Sequence, residues 1–209
     1  MTYAQAALSL MMLGIAVGSP EWVAAQSNSQ DVQVYAGYLF GDRLLEQPLS
    51  GGTPRLDDDG IFGARYTYHW TDDLGIQLST GYSPNRAAHV ASGASNLGLT
   101  TVDLDFELDA PLSAQVIGQQ LIPYAVIGTG YAWAELDDPF FGVTGSDGSV
   151  LIKNCNGYTA NAGLGIKYYV SDRLFIDLDG RYRYMSKLVS VFGQGLSTSE
   201  ATVGIGYRF

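Results

Sequence analysis

The side chains able to do chemistry are few and scattered in this chain, which has two histidines and one cysteine in 209 residues. His89 lies near Ser92 and Ser95 along the chain, and a Ser and His pair can activate a hydroxyl nucleophile. Neither His89 nor His69 has a third, orienting group at a recognisable spacing, so neither makes a catalytic set. His69 is read as a hydrogen-bonded member of a polar network. Cys155 has no partner for an intramolecular disulfide and reads as a small loop residue. The acidic runs Asp57-Asp58-Asp59 and Asp137-Asp138 would suit Ca²⁺ or Mg²⁺ but lack the spacing of a calcium loop, so they are solvated loop charge. Gly145-Ser146-Asp147-Gly148 is a turn signal and not a phosphate cradle, because no helix follows it. The expectation is a protein that is not an enzyme, with no catalytic residue, no metal and no cofactor.

The remaining charges fall in a pattern. Ser199 to Phe209 alternates at period two, with Ala201, Val203, Ile205, Tyr207 and Phe209 in one row and Glu200, Thr202, Gly204, Gly206 and Arg208 in the other. Such alternation is a strand whose faces meet different solvents. Seven earlier segments repeat it: Val32 to Phe40, Ile61 to Trp70, Leu74 to Tyr82, Thr100 to Leu108, Pro123 to Ala134, Tyr158 to Val170 and Leu174 to Tyr184. In Pro123 to Ala134 both rows are apolar or small, and the glycine row is assigned inward. Thr71-Asp72-Asp73 and Ser171-Asp172-Arg173 are tight turns. Gly41 to Asp59, Ser83 to Gly98, Glu135 to Asn156 and Ser186 to Thr198 read as long, polar connections. The connection Asp109 to Gln120 contains Pro111 and has no sharp limits.

Strands of roughly 9 to 13 residues match the ~9–11 needed to cross a bilayer at a tilt. Connections that alternate long and short would put loops on one side and turns on the other. The polar rows hold Arg65, His69, Asp103, Asp105, Glu107, Lys167, Asp177, Asp179, Arg181, Arg183, Glu200 and Arg208. Five cations against six carboxylates can pair inside a narrow lumen. The other rows are almost free of charge. Tyr38, Tyr66, Tyr68, Trp70, Tyr82, Tyr158, Tyr168, Tyr182, Tyr184 and Tyr207 recur on them near strand ends, as interfacial girdles do. A soluble lipocalin-type barrel would invert the two faces. Girdled apolar rows, balanced charge among inward glycines and an export signal favour the membrane. The fold class is all-β, an eight-stranded antiparallel up-and-down transmembrane β-barrel.

Composition agrees. Charged residues are 15% of the chain against a usual ~25%, while glycine numbers 26 and tyrosine 14. Ala6 to Gly18 is an apolar run too short to span a bilayer, and Val23-Ala24-Ala25 offers a cleavage site. Residues 1–25 are therefore read as a secretory signal, although Met1 to Gln5 lacks the usual Lys or Arg, and residues 26–209 as the barrel. Removing the signal takes away Glu21 alone among charged residues, moving the net charge from -10 to -9. That acidity excludes nucleic acid as a partner.

The segments Pro123 to Tyr131, Ala162 to Tyr168 with Ser171-Asp172-Arg173, Asp179 to Tyr184, and Val203 to Phe209 together resemble the small outer-membrane β-barrels of Gram-negative bacteria, the OmpA-like and OmpW-like membrane domains. The resemblance spans nearly all of the chain after residue 25. It implies export through the periplasm to the cell outer membrane, contact with outer-membrane lipid and lipopolysaccharide, and barrel-assembly machinery that reads Val203, Ile205, Tyr207 and Phe209. No peptidoglycan-binding domain follows, so a wall-anchoring role does not carry over. The expected function is structural or surface-interacting, through long extracellular loops around a side-chain-filled polar lumen. The surface ligand is unknown. Two alternatives stay open. One is a narrow, porin-like channel or a lateral route for small hydrophobic molecules, if inward glycines leave a gap. The other is a lipid A-modifying enzyme of the Ser and His kind.

Overall fold

The computed structural model describes residues 28–42, 55–90, 93–110, 114–116, 119–136, 143–145, 148–150, 154–186 and 195–209. The expected signal over residues 1–25, together with Ser92, Pro111, Asp137-Asp138 and Ser146-Asp147, lies outside them, as do the side chains of His89, Ser95 and Cys155. Among the described residues no helix is long and apolar enough to cross a membrane.

Eight long strands wind antiparallel: β1 Ser29–Phe40, β2 Asp59–His69, β3 Leu74–Val90, β4 Gly93–Asp109, β5 Gln119–Leu136, β6 Asn154–Tyr169, β7 Leu174–Met185 and β8 Leu196–Arg208. Each pairs with its chain neighbour. The sheet closes where β8 meets β1, in register from Asp31 opposite Arg208 to Phe40 opposite Ser199. Closure leaves no strand edge open, which hydrocarbon requires.

The short connections are built alike. Thr71 Oγ1 accepts a hydrogen bond from the Leu74 amide at 3.0 Å, and Ser171 Oγ accepts one from the Leu174 amide at 3.1 Å. In each turn the residue before the hydroxyl closes the hairpin, Trp70 N to Leu74 O at 3.2 Å and Val170 N to Leu174 O at 2.8 Å. A side-chain oxygen thus takes the amide that a tight turn leaves free. The connection after β4 holds a small hairpin, in which Ala114–Val116 pairs with Gln119 to Leu121 at the start of β5.

Alternation sets the two faces. Val34, Phe62, Leu104, Phe106, Ile127, Leu164, Leu178, Val203 and Ile205 are all at least half exposed and point outward. The aromatic residues frame them. Tyr158 and Tyr168 lie ten positions apart on β6, and about 3.3 Å per residue at a tilt of about 40° separates them by about 25 Å, the height of an outer-membrane apolar band. Edge-to-face pairs reinforce both girdles: Tyr38 with Phe40, Phe62 with Tyr82 and Tyr131 with Tyr158 at the loop end, Trp70 with Phe106 and Tyr207 with Phe209 at the turn end.

The structure extends several strands beyond the sequence reading. Ser83 to Gly98 is not a long loop: β3 and β4 continue through it as a paired hairpin to Val90 opposite Gly93. Both faces of that extension leave the hydrocarbon, so no hydropathy contrast marks it. β5 likewise starts at Gln119 and ends at Leu136, with its glycine row inward. Within the first long connection, Arg55 and Leu56 pair with Ala88 and Ala87. In the third, Val143–Gly145 pairs with Gly148–Val150.

Candidate functional site

Among the described residues the lumen is the one place where many polar side chains converge. Six strands, β2 to β7, supply its middle. Arg65 on β2 donates from Nη1 to Asp177 Oδ2 at 3.1 Å and from Nη2 to Asp179 Oδ1 at 2.8 Å. Arg181 on β7 donates from Nε to Asp179 Oδ1 and from Nη1 to Asp105 Oδ2, both at 2.8 Å, and from Nη2 to Gln77 Oε1 at 2.5 Å. Asp105 also accepts from Asn161 at 2.8 Å. Tyr124 hydroxyl lies 2.8 Å from Asp179 Oδ2 and 3.1 Å from Asp177 Oδ2. Planar guanidinium groups with several fixed donors suit such shared carboxylates. Above this layer Arg183 donates to Asp103 Oδ2 at 2.7 Å and pairs with Glu200, while Thr159 donates to Asp103 Oδ1 at 2.6 Å.

The turn end holds a second cluster. Lys167 Nζ touches Glu107 Oε1, lies 3.3 Å from Asp31 Oδ2 and 3.8 Å from Asp109 Oδ1. Arg208 grips Asp31 through both oxygens, at 2.7 and 2.8 Å, and stands over the Tyr169 ring at 5.0 Å. His69 Nε2 is 3.1 Å from Asp31 Oδ2. Among the described residues Asp31, His69 and Glu107 form the one group whose donor atoms converge as metal ligands would. The ammonium of Lys167 sits among the same oxygens, so the cluster already contains its cation. His69 therefore stands among carboxylates and cations, with none of the described serine hydroxyls bonded to it.

Every residue read from the sequence as a polar lumen group faces inward, and all but Arg208 are almost completely buried. Sequence reasoning missed Asp31 and Asp109, which raise the carboxylates to eight: Asp31, Asp103, Asp105, Glu107, Asp109, Asp177, Asp179 and Glu200. Both continue the inward phase of their strands, Asp31 two positions before Gln33 and Asp109 two after Glu107. That phase was the signal available. Also missed were the inward rings. Tyr35, Tyr124, Tyr169 and Phe175 are nearly fully buried.

Those rings decide what the inward glycines do. A Cβ on Gly165 would collide with the Tyr124 ring, on Gly206 with Phe175, on Gly63 with the Tyr35 hydroxyl, and on Gly128 and Gly130 with the carboxylates of Asp105 and Asp103. The glycines make room for large neighbours and leave no gap. At the loop end the inward wall turns apolar, with Leu39, Ile61, Leu97, Leu99, Met185 and Leu196 all buried. The lumen is thus polar through its middle and greasy at the loop end, where the sequence reading expects a side-chain-filled polar lumen.

The barrel is thus closed, with an apolar belt outside and an ion-paired interior. The model of the outer membrane protein beta-barrel domain matches residues 7–209. The chain belongs to that family. Its place is the cell outer membrane of Gram-negative bacteria, where the apolar face of the barrel meets lipid. Among solved structures, Neisserial surface protein A is similar at 15% identity and a TM-score of 0.62, covering 88% of this chain and 100% of that one. The outer membrane protein OprG of Pseudomonas aeruginosa is similar at 14% identity and a TM-score of 0.52, covering 88% and 98%. Ail, the attachment invasion locus protein of Yersinia pestis, is similar at 16% identity and a TM-score of 0.51, covering 87% and 99%. At such identities the likeness is one of fold. No curated protein matches the chain in sequence.

Proposed function

We propose that this member of the family is a non-conducting, non-enzymatic membrane scaffold whose long connections face the cell exterior and carry a surface-interaction role. The observation that carries this reading is the filled lumen. Arg65, Arg181 and Arg183 cross it at successive heights, each held by two carboxylates. An eight-stranded barrel encloses only enough width for side chains, and here Tyr124 and Phe175 occupy the space that glycines vacate. Residues 1–25 act as the export signal, lipopolysaccharide packs around the outer half of the belt, and the barrel-assembly machinery reads Val203, Ile205, Tyr207 and Phe209. The names of Neisserial surface protein A and of Ail, solved with the heparin analogue sucrose octasulfate, fit surface work on this scaffold.

Conductance across planar bilayers tests the reading. The purified barrel is expected to give no steps above the baseline, and regular single-channel openings would replace the scaffold with a pore. Protease added to intact cells is expected to cut in 43–54 or 137–153 and to spare the Thr71 and Ser171 turns.

A further inference from the structure

On the reading that the loop end faces the cell exterior, we propose that the lipid face carries a seat for one acyl chain of an outer-leaflet lipid A, centred on Gly180 and Ala201. A hollow of about 690 Å³ opens on the outside of the barrel where β6, β7, β8 and β1 run side by side. Its volume falls among the ~300–1,000 Å³ of small-molecule sites. Leu164, Gly180, Ala201 and Tyr38 stand in one row across the four strands. The middle two have almost no side chain, so they form a floor between the walls of Leu164 and Tyr38. A Cβ added to Gly180 would meet nothing closer than 3.9 Å. Leu178 and Val203, paired one step below, close the hollow toward the turn end.

Height and polarity choose the occupant. Strands about 4.8 Å apart and tilted by about 40° lift the row by ~3 Å at each step. The row climbs from Leu164 near mid-height to Tyr38 in the loop-end girdle, so Ala201 lies in the outer half of the belt. Above Ala201, β8 continues with Ser199 and Ser197, and the Tyr182 hydroxyl donates to Ser197 Oγ at 2.7 Å. Below the hollow the paired Ile176 and Ile205 keep the face apolar. Hydroxyls therefore stand at one end only. A molecule that matches has a greasy tail ending near mid-depth and a polar head at the girdle, and it enters from the outer leaflet. The floor is two strands wide, too narrow for the convex wall of a second barrel. A single hydrocarbon chain fits it and touches both walls, gaining dispersion contacts that a flat face does not offer. The seat is also continuous with the lipid contact of the surrounding belt.

Native mass spectrometry of the full barrel, released from micelles, tests the seat. The barrel is mixed with lipid A, or with the same phosphorylated sugar stripped of its acyl chains. One lipid A should stay bound per barrel, and the stripped sugar should not. Gly180→Leu or Ala201→Leu fills the floor and should cut lipid A retention at least fivefold. Ala64→Leu, in an outward row on β2, should leave it unchanged. Equal retention of the stripped sugar would place the contact on the head group and overturn the proposal. So would retention that neither filling alters, or a barrel dimer that a filling dissolves in place of a bound lipid. Failure of both filled variants to give a heat-modifiable barrel would overturn it too, because an open floor accepts leucine. Conductance and protease cutting read the scaffold proposal without either filling, so the two can fail separately.

Discussion

Arg65 and Asp177 meet in the lumen at 3.1 Å although 112 residues separate them in the chain. The guanidinium also stands 4.2 Å from the centroid of the Tyr35 ring and reaches Asp179 and Thr202. One side chain on β2 is therefore tied to β1, β7 and β8, across the seam where the barrel closes. Replacing one member of such a buried set strands the others. Arg65→Met is expected to lower stability by about 3–5 kcal/mol, measured by equilibrium unfolding in urea from lipid vesicles. Adding Asp177→Leu should recover part of the loss. A double variant that simply sums the two single losses would show that the pair is not coupled.

Overpacking gives a second test, because Gly165 and Gly180 sit on neighbouring strands with opposite surroundings. A methyl at Gly165 would enter the Tyr124 ring, forcing the hydroxyl away from Asp177 and Asp179. At Gly180 on the lipid face the nearest atoms are backbone oxygens at 3.9 and 4.0 Å. Gly165→Ala is expected to cost about 1–3 kcal/mol, and Gly180→Ala to stay within about 0.5 kcal/mol. The same unfolding experiment reads both. Equal effects would mean that the glycine row is not packed against the rings.

The direction of the two faces can be measured with a single charge. Leu164 on β6 is 71% exposed and near mid-height, and Tyr158 on the same strand is 73% exposed at the loop-end girdle. Leu164→Arg is expected to cost about 2–4 kcal/mol in vesicles, and Tyr158→Arg about 0–1 kcal/mol. The ratio depends on depth in hydrocarbon and not on exposure, which is nearly the same at both sites. If both substitutions were harmless, the belt would not face lipid.

Much of this architecture is legible in the chain because hydrocarbon and lumen impose opposite demands on alternate residues. Val203, Ile205 and Tyr207 could not exchange rows with Thr202, Gly204 and Gly206 without placing a polar row in lipid. Where one of the two solvents disappears, the signal goes with it. Ser83 and Asn85 are buried inward while Pro84 faces out, yet that stretch carries no hydropathy contrast because both its faces lie above the membrane. The apolar top of the lumen was hidden for a related reason. Leu39, Leu97 and Leu99 each follow the inward phase, but a leucine there reads the same whether its neighbours are charged or greasy. Partner choice inside the network was beyond reach: register between β2 and β7 follows from closure, and closure is a property of all eight strands together.

The end of the chain separates folding from assembly. Arg208 and Phe209 are adjacent, and their side chains go to different places. Arg208 turns inward onto Asp31 at 2.7 Å. Phe209 is 69% exposed, with its ring 5.0 Å from that of Tyr207, whose hydroxyl accepts from Arg173 at 3.2 Å. Removing the Phe209 ring costs the folded barrel little packing, whereas removing Arg208 breaks a bidentate pair at the turn-end mouth. Arg208→Ala is therefore expected to weaken the purified barrel by about 2 kcal/mol or more, and Phe209→Ala by less than about 1 kcal/mol. In cells the order should reverse. On the proposal that the assembly machinery reads Val203, Ile205, Tyr207 and Phe209, Phe209→Ala should reduce the amount of heat-modifiable barrel in the outer membrane several-fold. Unchanged levels of assembled Phe209→Ala protein would remove that role from the residue and leave it only its place in the turn-end girdle.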